Sequence, residues 1–266
     1  MKKLYICSNT SVQSYAVKEE VSKLLKDRGF RITYEYDDAV DMIIVIGGDG
    51  SFLHALSKCG YPKTPFLGIN TGHLGFFQEL NPDEKEKIIR FCSGEGYTLQ
   101  ENRLLKAEIE TDRGSIIDYA INDILVKDSG SSVIKLRLSI GDNFIEEFFG
   151  DGILVSTATG STAYNYSLGG AIVDPRTPVL QLTPCAPINN RAYRTFTSSL
   201  VLPPSLDITA ELIRRDADNP AFYADGKEIY KGNFNKVTVK LSNHIINVVR
   251  NEDYNFWNKV QSKFLL

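Results

Sequence analysis

The stretch Asp41-Met42-Ile43-Ile44-Val45-Ile46-Gly47-Gly48-Asp49-Gly50-Ser51 constrains the chain more than any other. Its apolar run is far shorter than the ~20 residues a membrane span needs, and too uniformly apolar for a strand with one face in water. It predicts a strand buried on both faces of a parallel sheet. Three glycines and one carboxylate follow, and Ser51-Phe52-Leu53-His54-Ala55-Leu56 predicts the start of a helix. A strand that ends in glycines and opens a helix leaves backbone N–H groups bare above the sheet. Phosphate suits that place, because glycine allows close approach and the helix end carries positive partial charge. The plain alternative is a tight turn with Asp49 as its turn former. The pattern lacks the Gly-Lys-Ser/Thr ending of one familiar phosphate loop and the spaced glycines of dinucleotide fingerprints.

The segments around this stretch alternate between strands and helices. Leu4 to Cys7 predicts a strand, and Ser8-Asn9-Thr10-Ser11 supplies capping side chains. Val12, Ala16, Val21, Leu24 and Leu25 follow at roughly helical spacing, and Arg28-Gly29 ends that helix. Phe30 to Tyr36 alternates like a strand, and Pro65 to Asn70 is another short apolar strand running into Thr71-Gly72-His73-Leu74-Gly75-Phe76. Asn81-Pro82 opens a charged helix over Asp83 to Phe91. Strands alternating with helices predict an α/β domain over residues 1–98, a parallel sheet with helices on both faces.

From residue 99 to 250 the pattern becomes β-rich and antiparallel. Strands are predicted at Lys106 to Thr111, Ile116 to Lys127, Val133 to Ile140, Phe144 to Phe149, Ile208 to Arg214, Val237 to Leu241 and Ile245 to Arg250. One interruption stands out, from Gly150-Asp151-Gly152 through Ser156-Thr157-Ala158-Thr159-Gly160-Ser161-Thr162-Ala163-Tyr164 to Ser167-Leu168-Gly169-Gly170. It holds a strand, a run of small hydroxyl residues, and a predicted helix start at Gly160-Ser161-Thr162. Hydroxyls and open amides there suit phosphate or ribose. Tyr164 either stacks on a base or packs in the core. Ser161 as a nucleophile is the rival reading, but it lacks the Gly-x-Ser-x-Gly elbow and has only His54, His73 and His244 as potential bases. The tail, 251–266, places Phe256, Val260 and Phe264 four apart, predicting an amphipathic helix docked on a domain or a neighbouring subunit.

Charge and cysteine usage narrow the partners. With 30 basic and 33 acidic residues well mixed, the net charge of −3 argues against a dedicated nucleic-acid or membrane-surface binder. Cys7, Cys59, Cys92 and Cys185 form no Cys-x-x-Cys pair and read as reduced thiols. The basic N-terminus is followed by an apolar run too short for a signal peptide. The expectation is a soluble, cytoplasmic protein with no nucleic-acid or membrane partner.

Gly47-Gly48-Asp49-Gly50, Asn122-Asp123, Asp151-Gly152, the run from Ser156 to Tyr164 and Ser167-x-Gly169-Gly170 together resemble the NAD kinase family, bacterial type. The likeness extends over Gly68 to Phe76, Ile188 to Arg194 and Ala224-Asp225-Gly226, in the family's order. The short glycine turn is shared with diacylglycerol and sphingosine kinases and phosphofructokinases; the long Thr-Gly-Ser-Thr-Ala-Tyr run is specific. The resemblance implies an N-terminal α/β domain and a C-terminal β-rich domain with the active site between them. It implies transfer of the γ-phosphoryl of ATP to the 2′-hydroxyl of NAD's adenosine ribose, with Mg²⁺ or another divalent cation accompanying ATP, in a homodimer or homotetramer.

By the same resemblance Asp49 is the catalytic residue at the acceptor hydroxyl, and Gly47, Gly48 and Gly50 hold phosphate. Asn122 and Asp123 bind the adenosine portion, while Phe76, Thr162, Ala163 and Tyr164 line the adenine pocket. Asp151, Ser167, Ala186, Tyr193 and Asp225 lie nearer the nicotinamide half, and Gly50, Leu53, His73 and Ser161 complete the NAD contacts. No metal ligand set is implied. Three positions depart from the family: Asp123 where glutamate is usual, Ala158 where proline is usual, and Phe149 where related members carry arginine. A lipid kinase sharing the glycine turn and a non-catalytic dinucleotide sensor are the rival functions.

Overall fold

The computed structural model describes residues 1–72, 75–130, 132–191, 194–213 and 219–265. The chain divides into two compact units, one made of Met1–Asn102 with Ile245–Leu266 and the other of Arg103–His244. The first unit takes back the end of the last long strand, so residues 245–250 belong to it rather than to the β-rich part.

In the first unit the elements run β1 (Lys3–Ser8), α1 (Val12–Asp27), β2 (Arg31–Thr33), β3 (Met42–Gly47), α2 (Asp49–Lys58), β4 (Phe66–Asn70), β5 (Gln78–Leu80) and α3 (Lys85–Ser93). The strands lie in the order β2-β1-β3-β4, all parallel, with β5 added parallel to β4. All six residues of β3 are buried, as its uniform apolarity requires. Its alternate residues face opposite layers. Met42, Ile44 and Ile46 join a core with Val21 and Leu25 of α1 and Ile88 and Phe91 of α3. On α2, Phe52 stacks on Phe77 at 4.6 Å between centroids and leans on Phe66 at 5.6 Å. In α1 the buried residues are Ser14, Val21, Ser22 and Leu25. Val12, which the spacing put on the apolar face, is 88% exposed: a stripe drawn through Val21 and Leu25 at helical pitch passes Ser14 and misses it.

The chain continues, mostly in the second unit, with β6 (Tyr97–Thr111), β7 (Gly114–Ala120), β8 (Asp123–Asp128), β9 (Ile134–Ile140), β10 (Asn143–Gly150), β11 (Gly152–Thr157), a 3₁₀ turn (Thr159–Thr162), α4 (Tyr164–Ser167), β12 (Leu180–Cys185), β13 (Leu200–Leu202), β14 (Ile208–Leu212), β15 (Pro220–Ala224), β16 (Lys227–Lys231) and β17 (Lys236–Asn251); the start of β6, the end of β17 and the closing helix α5 (Phe256–Phe264) belong to the first unit. One antiparallel sheet has the order β13-β12-β11-β8-β15-β16. Antiparallel pairs β10-β9-β14-β17 and the β6-β7 hairpin face it. Leu105, Ile124, Leu136, Val155, Ile208 and Phe222, all under 2% exposed, share the core.

Two strand expectations change. The run Ile116 to Lys127 is two strands, not one, because β7 ends at Ala120 and β8 starts at Asp123 in the other sheet. The amides of Ile121, Asn122 and Asp123 are instead taken by the carboxylate of Asp225, which ends the first ladder. Conversely, Lys236–Asn251 is a single sixteen-residue strand where the sequence divides it in two. No helix among the described residues is long and apolar enough to cross a membrane.

Candidate active site

The first constellation lies where β3 hands over to α2. Gly47 has φ +149°, and a Cβ there would sit 2.2 Å from Ser51 Oγ, so glycine is required. Gly48 is the N-cap of α2, and Asp49 is its first residue, two residues earlier than the sequence suggests. The leading N–H groups of a helix have no intrahelical acceptor, and those of Asp49 and Gly50 stand here beside a carboxylate. That carboxylate is seated with care. Phe76 N donates to Oδ2 and Phe77 N to Oδ1, each at 3.0 Å. Lys263 Nζ, arriving from α5, lies 3.4 Å from Oδ2. Oδ1, with the single donor Phe77 N, retains a second lone pair for a hydroxyl proton.

The seat is backed by a buried ionic network. Arg250 and Glu79, both with side chains 4% exposed, pair at 3.2 Å. Arg250 also donates to Phe76 O at 2.9 Å and to Gln100 Oε1 at 2.7 Å. Lys259 donates to Gln78 O and lies 3.4 Å from Glu79 Oε2. Burial, with Arg250 adding to it, holds the Lys259 ammonium down at about 8. Gln78, 3% exposed, has no partner for either amide atom among the described residues. A Cβ on Gly75 would meet Gln78 Oε1 at 2.2 Å and Asp49 Oδ1 at 2.4 Å, so both side chains converge over that glycine. An unpaired buried amide costs about 1–3 kcal/mol, and such groups mark places that a water or ligand completes.

The second constellation lies wholly in the β-rich unit. Asp225 and Gly226, with φ +50° and +79°, make the two-residue hairpin between β15 and β16. The Asp225 carboxylate then accepts from the amides of Ile121 at 2.9 Å, Asn122 at 2.7 Å and Asp123 at 3.2 Å. Burial pushes it up to about 6 against the pull of those bonds. Asp123, 5% exposed, is pushed up to about 7, first by burial and then by the charge of Asp225. Across the ladder from Asp123 stands Ser156, fully buried and with its hydroxyl unpartnered among the described residues. Burying polar groups without partners is costly, so the unpartnered Ser156 hydroxyl beside the buried Asp123 carboxyl marks a place that a ligand group completes.

The Thr157–Tyr164 run is stitched to the same place. Thr157 Oγ1 donates to Ile121 O at 2.6 Å and accepts from Gly160 N at 2.9 Å, while Thr157 N donates to Asn122 O at 2.9 Å. A Cβ on Gly160 would fall 2.0 Å from Asn122 O, so only glycine allows this approach. Thr162 is 9% exposed, whereas Tyr164 leaves 46% of its surface open. Ala186 sits at φ +43° after β12, a strained state of the kind that gathers at binding sites. Asp151 and Ser167 are exposed, and Leu53 is half-buried.

Both halves of the chain match family models, the ATP-NAD kinase N-terminal domain over residues 31–97 and the ATP-NAD kinase C-terminal domain over 121–251. An NAD kinase from Finegoldia magna is 36% identical, with 99% of this chain and 98% of that one aligned. The chain belongs to the NAD kinase family. Among solved structures, yeast NADH kinase complexed with NADH superposes with TM-score 0.86 at 20% identity, covering 98% of this chain and 86% of that one. An NAD kinase from Archaeoglobus fulgidus in complex with ATP gives 0.77 at 22%, covering 98% and 99%.

Within this NAD kinase the residues expected from sequence divide into two places. Gly47, Gly48, Asp49, Gly50, Leu53 and Phe76 lie in the first unit, and Asn122, Asp123, Asp151, Thr162, Ala163, Tyr164, Ser167, Ala186 and Asp225 in the second. His73 and Tyr193 fall outside the described residues. Two roles change. Ser161, fully buried, receives Val173 N at 2.9 Å and donates to Val173 O at 3.2 Å, so its hydroxyl is a strut, neither nucleophile nor open ligand contact. Its helix start is only a 3₁₀ turn followed by the four residues of α4, too short to present an anion site. Asp225 spends its carboxylate on three amides and shapes the Asn122-Asp123 corner. Sequence reasoning missed Phe77, Gln78, Glu79, Arg250 and Lys263; a lysine pair four apart beside the Phe256, Val260 and Phe264 stripe was the visible signal for the last. Among the described residues no group of three or more His, Cys, Asp or Glu side chains is arranged to hold a metal.

Proposed function

We propose that Asp49 is the group that orients and deprotonates the acceptor in the transfer of the ATP γ-phosphoryl to the 2′-hydroxyl of NAD's adenosine ribose. What carries the reading is its carboxylate, seated by the Phe76 and Phe77 amides at the glycine-lined start of α2. Phosphoryl transfer asks mainly for positioning and charge stabilisation, and a carboxylate fixed at two points supplies the first. Its proton uptake comes late, as the new O–P bond forms and the bridging oxygen of ADP leaves with its electron pair. The helix-start amides serve phosphate oxygens. Mg²⁺ belongs to the substrate, arriving on ATP and keeping much of its water.

In the same reading Asp123 and Asn122 bind the adenosine ribose and Tyr164 covers the adenine. The open tyrosine face, the buried Asp123 carboxyl and the unpartnered Ser156 hydroxyl across the ladder from it support this. Cytoplasmic location and a homodimer or homotetramer are part of the proposal; all four cysteines are unpaired thiols, as suits a reducing compartment.

The test is a coupled assay of ATP plus NAD, followed by an NADP-specific dehydrogenase. Asp49→Asn is expected to lower kcat by on the order of 10²–10⁴ while NAD still binds. Unchanged kcat with a raised KM for NAD would make Asp49 a binding residue only. NADP binding without turnover by the native protein would identify a sensor.

A further inference from the structure

We infer that Lys263, carried on the C-terminal helix, is a positioning residue for the Asp49 carboxylate, and that α5 with the end of β17 builds the seat in which that carboxylate works. The inference rests on Asp49 being the group at the acceptor hydroxyl.

The C-terminal part of the chain reaches the Asp49 carboxylate both directly and through the segment that holds it. The two amides that hold it come from Phe76 and Phe77. That segment is pinned from behind by Arg250, which donates to Phe76 O at 2.9 Å, and by Lys259, which donates to Gln78 O. Glu79 gathers Arg250, Lys259 and both Asn251 nitrogens, at 2.9 to 3.4 Å. The ring of Phe76 lies 6.0 Å from both Phe256 and Phe264 on α5. Lys263 then crosses that ring, 5.0 Å from its centroid, to reach Oδ2 of Asp49 at 3.4 Å.

The spacing explains how one short helix does this. Phe256, Val260 and Phe264 share one stripe, and Lys259 and Lys263 share the adjoining one, each step being four residues. Asn255 caps the helix by accepting from the amides of Trp257 and Asn258. With side chains 34% and 28% exposed, the Lys263–Asp49 pair is too open to matter much for stability. Its effect is on aim: the amides fix where the carboxylate oxygens sit, and the ammonium biases which way Oδ2 leans.

Lys263→Met keeps the aliphatic cover over Phe76 and removes the charge. We expect kcat to fall by about ten- to a hundredfold, with KM for NAD within about twofold and Tm within about 2 °C of the native enzyme. Lys263→Arg should recover most of the rate. In an Asp49→Asn background Lys263→Met should cost nothing further, because the group it acts through is gone. A Lys263→Met enzyme with native kcat, beside a crippled Asp49→Asn enzyme, overturns this inference and leaves the Asp49 reading standing. So does an equal loss in the Asp49→Asn background, which would place Lys263 on the nucleotide. Native kcat in Asp49→Asn overturns the Asp49 reading itself, and this inference with it.

Discussion

Asp123 is predicted to stabilise the enzyme's function at the expense of its fold, and the trade can be measured. Its carboxyl moves from 3.8 to about 7, first by burial and then by the Asp225 charge. A folded-state value above the unfolded one means that the folded protein holds this proton more tightly. The carboxyl is therefore without penalty below pH ~4, and its ionisation drains stability as pH rises towards ~7. The full displacement corresponds to about 4 kcal/mol as a ceiling, of which roughly 2–3 kcal/mol falls between pH 5 and pH 8. Asp123→Asn removes the titration and keeps the shape. The buried amide adds an offset of its own, but one that does not vary with pH.

The expected result is a melting temperature that rises in the variant relative to the native enzyme as pH increases, the gap widening by roughly 5–10 °C from pH 5 to pH 8. Scanning fluorimetry of both proteins without nucleotide, at several pH values, reads it directly. The same substitution should raise Kd for NAD about tenfold or more, since charge-assisted hydrogen bonds to a ribose diol are worth about 1.5–3 kcal/mol each. A gap that stays flat with pH would refute the claim that Asp123 is charged at a cost in the free enzyme. Undiminished NAD affinity would move the ribose contact to Asn122.

Gly160→Ala should destabilise the enzyme by about 1–3 kcal/mol in urea and weaken NAD, because the new Cβ lands on Asn122 backbone that cannot move aside; native stability would deny the close approach. Gly75→Ala drives a Cβ to within 2.4 Å of Asp49 Oδ1, so kcat should drop by about tenfold or more with the fold kept, and an active variant would show that the carboxylate has room to shift. Tyr164, 46% exposed, contributes little to the core, so Tyr164→Ala should cost about 1–3 kcal/mol in NAD affinity measured by calorimetry with Tm almost unmoved. A large fall in Tm with native affinity would make it a packing residue instead.

The strand-turn-helix around Asp49 was legible because its signals are local. A run of β-branched residues can be buried on both faces only in a covered sheet, and a glycine at φ +149° leaves its mark in the sequence as glycine. The Asn122-Asp123 corner is half legible: two polar residues interrupt the apolar run from Tyr119 to Val126, without saying that the ladder ends there. The reason lay about a hundred residues away, in an aspartate that reads alone as a hairpin former. Asp225 is that hairpin former, and because φ +50° directs its chain back at the corner, its carboxylate can also take three amides that would otherwise have extended β7.

The seat of Asp49 was not legible for a physical reason of the same kind. Lys263 stands 214 positions from Asp49, and Arg250 stands 174 from Phe76. Helical periodicity announces that α5 has an apolar face, but periodicity is a property of one segment and carries no address for its partner. The parallel placement of Val248 beside Phe66 returns β17 to the first sheet and brings the tail to Phe76. Arg250 follows Val248 by two residues on that strand, so the register that pairs β17 with β4 also sets where the guanidinium meets the Phe76 carbonyl. A one-residue slip there would turn Arg250 to the opposite face, leave Glu79 buried without its main partner, and release the segment whose amides hold Asp49. The geometry at the Asp49 carboxylate is thus set by strand pairing at the far end of the chain.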